Sequence, residues 1–375
     1  MRKVIWTLWA TITALLLFGF VAVYSASTPL KGGAAFSTLM MQIGASLVGM
    51  VLAILIARID YSFWKKNWIL VLIFLACSLS CWAVFAFQPI NGSRRWLRVL
   101  GFSLQPSEFA RIGLIIILAA RFSKIGTMSG SVFKGFIYPS LIAGFIILPV
   151  FVSPDLGATL VMGVATITIF IAANVKKRWI AVIIAVGLVL LTALILLSPN
   201  RLSRVISWVD SKRGVESTSA TSYHQQQSLE AFRRGGWKGV GLDKSIQKHQ
   251  YLPEANSDFV FAIIAEEFGM IATVGLLIAY SIMFYCGIYI ASFARDRFGR
   301  FVALAMSVMI TFEVCFNIGM VIGALPTKGI ALPFMSAGGT SVLATLIACG
   351  FILSVGYHSM ASHSASFMRN SQIEF

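Results

Sequence analysis

Tyr251-Leu-Pro-Glu-Ala-Asn-Ser-Asp258-Phe-Val-Phe-Ala-Ile-Ile-Ala-Glu266-Glu267 carries the chain from a long polar stretch into an apolar one within a few residues. Asp258 stands at the turning point, and two more carboxylates follow inside the apolar run. Carboxylates are costly near lipid and seldom stand there without a task. Only 14 of the 375 residues are acidic, so this concentration asks for a reason.

Working outward, apolar runs recur from end to end. The chain is 58% hydrophobic and 12% charged, with a mean hydropathy of +0.85. An average soluble domain is about 25% charged. A membrane span needs about 20 apolar residues. Ten candidates lie near residues 4–26, 37–59, 68–87, 107–122, 136–152, 157–174, 179–198, 259–293, 300–324 and 339–360. The expected fold is an all-α integral membrane protein of about ten transmembrane helices. It forms one polytopic domain over residues 1–375, with a large extracytoplasmic loop, 199–258, between spans seven and eight. The break at Ser153-Pro-Asp-Leu156 is either a short connection between two spans or the tip of a re-entrant pair. The first run has no small-residue cleavage signature and reads as a retained span. All five cysteines lie in apolar runs, so neither a zinc site nor a disulfide framework is expected.

The formal net charge is +16. Arg2 and Lys3, then Arg58, Lys65 and Lys66, then Arg121, Lys124 and Lys134, then Lys176, Lys177 and Arg178, then Arg295, Arg297 and Arg300 all fall on one side. By the positive-inside rule that side is cytoplasmic, and an even span count puts both termini there. No basic face on a soluble module is visible, so a nucleic-acid partner is not expected.

Two outer loops break the charge pattern. Residues 88–106 carry Arg94, Arg95 and Arg98, and residues 199–258 carry nine Lys and Arg against six Asp and Glu. Arginine on the outer face points to phosphate or carboxylate binding. Within the long loop, Leu202–Val209 and Tyr223–Phe232 read as short amphipathic helices. Gly235, Gly236, Gly239 and Gly241 mark turns. Gly239–Ser245 lacks the Gly-Lys-Ser order of a phosphate loop, so a turn is the better reading.

Several constellations can carry chemistry. Asp258 is either a general base whose pKa partial desolvation raises, or an N-cap for the helix that follows. Taken alone, the residue favours the cap. Glu266 and Glu267 point about 100° apart, so at least one faces the bundle, with Arg111 and Lys328 as candidate partners. In Gln105-Pro-Ser-Glu108-Phe-Ala-Arg111, proline suits a helix start, Ser107 or Glu108 can cap it, and Glu108 and Arg111 are spaced to pair. In Asn91-Gly-Ser-Arg94-Arg95-Trp96-Leu-Arg98, Trp96 suits the headgroup belt. Its arginines meet lipid phosphates or clamp a lipid-linked pyrophosphate. Asp155 is a second outward carboxylate. Lys328 and Ser336 lie in a third irregular segment before the last span. Glu313 is buried in the ninth span with Asn317 one turn on. The substrate-binding candidates are therefore Arg94, Arg95, Asp155, Lys328 and Ser336. Physics alone leaves two classes, an enzyme acting on an anionic lipid-linked substrate and a transporter of one.

The stretches Asn91–Leu97, Gln105–Arg111, Pro154–Gly157, Gln247–Gly269 and Leu325–Ser341 together resemble the SEDS family of bacterial cell-wall proteins, the RodA/FtsW/SpoVE family. Tyr251–Ala255 and Leu325–Gly329 are most similar to its division branch. The resemblance implies a ten-span fold and peptidoglycan glycosyltransferase activity on lipid II at the outer face of the cytoplasmic membrane during cell division. It implies that Asp258 is catalytic, and that Glu108 and Arg111 form the supporting pair at the start of the fourth span. The implied partners are a class B penicillin-binding transpeptidase and the divisome proteins. The expected reaction is inverting transfer, with Asp258 as base and undecaprenyl pyrophosphate as leaving group. Arg94, Arg95 or Lys328 would stabilise that anion, with or without a divalent cation, magnesium or manganese, for which the sequence shows no dedicated site. Glu266 and Glu267 then read as structural. The alternatives are a lipid II flippase, its path lined by Glu108, Glu266, Glu267 and Glu313, and a noncatalytic scaffold of the division complex. The chain departs from the family pattern at Ala337 for Tyr, Arg111 for Lys, Glu313 for Gln, and Asn256-Ser257 for His-Thr.

Overall fold

The computed structural model describes residues 1–28, 34–88, 94–99, 102–125, 132–153, 155–212, 220–249, 252, 255–326 and 329–371. Lys328, Pro154, Tyr251, Pro253 and Glu254 lie outside the described residues, as does the Arg98 side chain.

Long apolar runs that cannot leave backbone groups unpaired in lipid must become helices. The described chain is accordingly helical: α1 (Arg2–Ser27), α2 (Ala34–Arg58), α3 (Asn67–Ala83), α4 (Pro106–Ile125), α5 (Tyr138–Val152), α6 (Leu156–Ala172), α7 (Lys177–Leu196), α8 (Pro199–Lys212), α9 (Ala220–Gly235), α10 (Val260–Ser292), α11 (Arg297–Val321) and α12 (Gly339–Ser371). Among the described residues, eight helices are long and apolar enough to cross a membrane. Of the ten expected spans, α4 carries four charged residues and α6 is 17 residues long, so these two fall outside that set. A single turn of π-helix, Phe133–Ile137, extends α5 at its start.

A small hairpin interrupts the helices. Strands β1 (Leu97–Val99) and β2 (Phe102–Leu104) pair antiparallel with Leu97 opposite Leu104. Nothing in the sequence reading anticipated it. It is tied to the bundle where Thr340 Oγ1 of α12 donates to Ser103 O (3.1 Å).

The core of the bundle is α4, α11 and α12. Residues 110–120 of α4 are buried throughout. Small residues let backbones approach, which is how helices associate where lipid removes the hydrophobic drive. A methyl on Gly350 of α12 would lie 2.8 Å from Ala53 Cα of α2, and one on Gly339 would lie 3.2 Å from Ala45 Cβ. By contrast, no residue of α7 is buried.

The two amphipathic helices of the long loop form and run longer than expected, as α8 and α9. They dock on the C-terminus of α11, whose last carbonyls have no partner within the helix. Ser228 Oγ donates to Val321 O (2.7 Å), and Gln225 Nε2 and Trp208 Nε1 both donate to Gly323 O (3.1 Å each). A helix end that would otherwise be unsatisfied thereby fixes the loop over the bundle.

The expected single span over 259–293 is broken. Gly269 has φ 74 and ψ −173, a conformation that only glycine adopts readily. The glycine-rich turn after α9 fills the break. Val240 N donates to Glu266 O (2.9 Å), Gly241 N to Glu267 O (3.0 Å) and Met270 N to Gly236 O (2.9 Å). Val260–Ala265 are all buried, whereas Ile271 and Ile278 beyond the break are exposed. The first part of α10 is thus an internal helix and only the second faces lipid. A methyl on Gly269 would lie 2.4 Å from Gly239 N, backbone against backbone. Gly269→Ala is therefore expected to cost at least about 1–3 kcal/mol from conformation alone. A thermal melt of the purified protein in detergent checks this.

Candidate active site at the start of α10

Asp258 is half-buried and stands two residues before the first residue of α10. The cap position belongs to Phe259, and no side chain caps it. The cap role that the residue alone favoured is therefore overturned. The preceding carbonyls are all turned inward. Asn256 O accepts from Ala337 N (2.8 Å), Ser257 O from Ser336 Oγ (2.5 Å) and Asp258 O from Asn317 Nδ2 (2.9 Å).

The segment 329–338, which supplies the first two of these donors, is itself rigidly held. Leu332 N donates to Ser336 Oγ (2.7 Å), Tyr280 Oη to Pro333 O (2.5 Å) and Asn317 Nδ2 to Ile330 O (2.7 Å). Gln42 brackets its end, donating to Ser336 O (3.1 Å) and accepting from Gly338 N (3.2 Å). Phe334 is buried at φ 68, an unfavourable conformation for a bulky residue that the surrounding contacts must enforce. Ser336, expected to bind substrate, is 2% exposed, and its hydroxyl both donates and accepts inside the protein. That is a correction: Ser336 braces the turn.

Asp155 caps α6, accepting from Ala158 N (3.2 Å). It also accepts from Gln105 Nε2 (2.8 Å) and pairs with Arg95 (3.9 Å). Asp155 and Arg95, with Ser107 and Ser153, line a small cleft. Asp155 and Asp258 are linked through two packing contacts in series. Gly157 lies against Gly329 and Ile330, and Gly329 lies against the Asp258 carboxylate. Arg94 is exposed and donates to Phe85 O (3.1 Å).

Two cations not singled out from the sequence are Arg201, which lies close enough to Arg95 to feel its charge, and Arg204 beside it. Arg201 and Arg204 share a face of α8 by their spacing. Burial, Arg95 and Arg204 together push the Arg201 guanidinium below its usual pKa, and burial with Arg204 does the same to His224 on α9. His224 in turn packs toward Phe259, with ring centroids 6.4 Å apart. Two arginines three apart on an amphipathic helix were the available signal. What they adjoin was not legible.

Glu108 and Arg111 of α4 pair at 2.5 Å, as their spacing predicted. Arg111 also pairs with Glu313 of α11, so one guanidinium serves two carboxylates. All three side chains are buried or nearly so, with exposures of 12%, 4% and 2%. Ser107 does not cap α4, since its hydroxyl is buried without a partner among the described residues.

Glu266 and Glu267 do not pair with Arg111, which corrects the expected partnership. Glu266 accepts from Ser245 Oγ and from the amides of Ile246 (3.1 Å) and Gln247 (3.3 Å). Glu267 pairs with Lys248 (2.9 Å) and accepts from Ser25 Oγ of α1 (2.6 and 2.7 Å). Lys248 also reaches Asp243, whose carboxyl is held below its usual pKa by hydrogen bonds from Lys248 and Thr28. Lys248 was hidden in a polar loop and gave no sequence signal of burial, yet its side chain is fully buried. Lys248→Gln removes that charge and is expected to cost about 2–3 kcal/mol, because a buried carboxylate loses its cation but keeps Ser25. Urea titration of detergent-solubilised protein checks the figure.

A profile of the cell cycle protein family that takes its name from FtsW, RodA and SpoVE matches residues 5–361. The probable peptidoglycan glycosyltransferase FtsW of Trichlorobacter lovleyi is 35% identical over 355 residues, covering 92% of this chain and 91% of that one. Stage V sporulation protein E of Bacillus subtilis is also 35% identical over 355 residues, covering 93% and 96%. Two solved structures share the fold. One is a chain of a peptidoglycan synthase complex, with a TM-score of 0.75, 24% identity and coverage of 94% and 98%. The other is the rod shape determining protein RodA of Thermus thermophilus, with a TM-score of 0.70, 23% identity and coverage of 94% and 96%. This chain is a multi-pass membrane protein and belongs to the FtsW/RodA/SpoVE family of cell cycle proteins.

Proposed function

We propose that the protein is a peptidoglycan glycosyltransferase that polymerises lipid II during cell division. The observation that carries this reading is the placement of Asp258. Its turn is locked by inward hydrogen bonds, and it stands at the entry to α10, just ahead of the cap residue Phe259. It occurs in a chain whose relatives are named peptidoglycan glycosyltransferases.

In the proposed reaction, Asp258 removes the proton from the 4-hydroxyl of the acceptor sugar. That oxygen forms a bond to the anomeric carbon of the growing chain, on the face opposite the leaving group. The anomeric carbon–oxygen bond breaks, and undecaprenyl pyrophosphate departs with the electron pair. One base suffices, because the leaving group is already a stable anion, unlike the sugar alcohol that a glycosidase must protonate. Arg94 and Arg95, with Arg201 near Arg95 and Arg204 next to it on α8, are the cations proposed to receive the pyrophosphate, together with Lys328. Asp155 holds Arg95 in place. Among the described residues, no group of three or more His, Cys, Asp or Glu side chains could hold a metal ion.

In this reading the site lies at the outer face of the cytoplasmic membrane with both termini inside. A class B penicillin-binding transpeptidase and other division proteins are the proposed partners, and a peptidoglycan synthase complex among the structural neighbours supports the first. Transport is less well supported. Glu108 and Glu313 close on Arg111, while Glu267 closes on Lys248, so these carboxylates form separate closed networks rather than one path. The deciding experiment incubates the purified protein and its transpeptidase with fluorescent lipid II. A ladder of glycan strands is expected. Lipid II crossing vesicle membranes without any ladder would favour the transporter.

A further inference from the structure

Asn317 sits on α11, four residues beyond Glu313, so the two share a helix face. Glu313 reaches sideways to Arg111, and Asn317 reaches the Asp258 turn one helical turn further along. The Asn317 side chain is completely buried. Both its amide hydrogens are used, one on Asp258 O (2.9 Å) and one on Ile330 O (2.7 Å). Two carbonyls facing one side chain demand a donor on each line, which dictates which way the amide lies. Its Oδ1 is buried without a partner among the described residues. An aspartate or leucine here could not make these bonds.

The two carbonyls belong to different segments. Asp258 O lies on the turn that enters α10, and Ile330 O lies on the segment after α11. Asn317 therefore sets the spacing between Asp258 and the Gly329–Ile330 backbone. That spacing is tight, because a methyl on Gly329 would lie 2.8 Å from Asp258 Oδ2 and 3.4 Å from Oδ1. The same backbone is pressed from behind by Gly157 of α6, next to Leu156 and the Asp155 cap. The Asp258 carboxylate is thus bounded by Gly329 on one side and tied through its own backbone to Asn317 on the other.

We infer that Asn317 is a positioning residue for Asp258, and that Gly329 completes the device by leaving room for the carboxylate alone. This rests on the reading of Asp258 as the base. The arrangement fixes the base relative to the acceptor hydroxyl without touching substrate. Loss of alignment at a reacting group costs rate rather than affinity.

The test compares wild type, Asn317→Leu, Gly329→Ala, the double variant and Asp258→Asn, each purified with the transpeptidase partner and assayed for lipid II polymerisation over a range of substrate concentrations. Asn317→Leu and Gly329→Ala are each expected to lower kcat at least tenfold with KM within threefold of wild type. The double variant should be no worse than the worse single one, since both act on one spacing. A full product of the two losses, or a kcat within twofold of wild type for either variant, overturns the inference. If Asn317→Leu does not fold, Gly329→Ala decides alone, because a carboxylate can move aside without disturbing the bundle. Polymerisation by Asp258→Asn at the wild-type rate would show that the base assignment itself fails, and the positioning role with it. An inactive Asp258→Asn beside a fully active Gly329→Ala would sink the positioning role only.

Discussion

Asp258→Asn is expected to reduce lipid II polymerisation by about 10²–10⁴-fold, the usual contribution of a positioned general base. The substitution is nearly isosteric and removes only the ability to take a proton. The fold should survive it, because Asp258 is not the cap of α10 and its turn is held through backbone carbonyls that asparagine retains. Melting temperature and assembly with the transpeptidase are therefore expected to match wild type. Asn256 O, Ser257 O and Asp258 O would keep their donors. A loss of activity with an unchanged melt separates chemistry from structure. Wild-type polymerisation by this variant would remove the base, and wild-type growth of cells carrying it would favour a scaffold.

The second large effect is on stability. Arg111→Ala should destabilise the protein by about 3–5 kcal/mol, the cost of leaving a buried ion pair with one partner missing. The formal charges of Glu108, Arg111 and Glu313 sum to −1, so the cation is the scarce member of the set. Without it, two carboxylates face each other across α4 and α11 in a site of very low exposure. Glu313→Gln should be far milder, within about 1 kcal/mol, because the amide oxygen still accepts one hydrogen bond from Arg111 and the charges then balance. Arg111→Lys should fall between the two. A lysine ammonium is a compact point charge, whereas the planar guanidinium presents donors to two carboxylates at once. Denaturant titration of the three variants in one detergent gives the order. Equal losses for Arg111→Ala and Glu313→Gln would contradict this account of the cluster.

Much of the architecture was legible from composition and periodicity. Each helix expected as a span exists, because an apolar run of span length has one stable solution in lipid. The amphipathic helices α8 and α9 were legible for a similar reason, since their apolar faces recur at helical spacing. The Glu108–Arg111 pair was also readable, being three residues apart on one helix. The hairpin β1–β2 was not, because three-residue strands carry too little pattern to stand out. Nor was the break at Gly269. Hydropathy sees only that Val260–Ser292 is apolar, and the break depends on a glycine turn that approaches from the loop before it.

At the candidate site the division is sharper. The sequence pointed to Asp258, Arg94, Arg95 and Asp155 because charge beside apolar runs is conspicuous whatever the fold. It could not choose partners. Ser25 and Glu267 lie 242 positions apart, and Arg111 and Glu313 lie 202 apart. Lys248 looked like any loop lysine, and Asn317 like any polar residue inside a span. Local chemistry, read residue by residue, determined that this is a helical membrane protein with an acidic residue at the mouth of a span. Only tertiary packing decided that this residue is not a helix cap, that Asn317 and Gly329 confine it, and which buried carboxylate closes on which cation. A hydrogen bond or ion pair depends on distances of a few ångströms, and those distances exist only once the helices have docked.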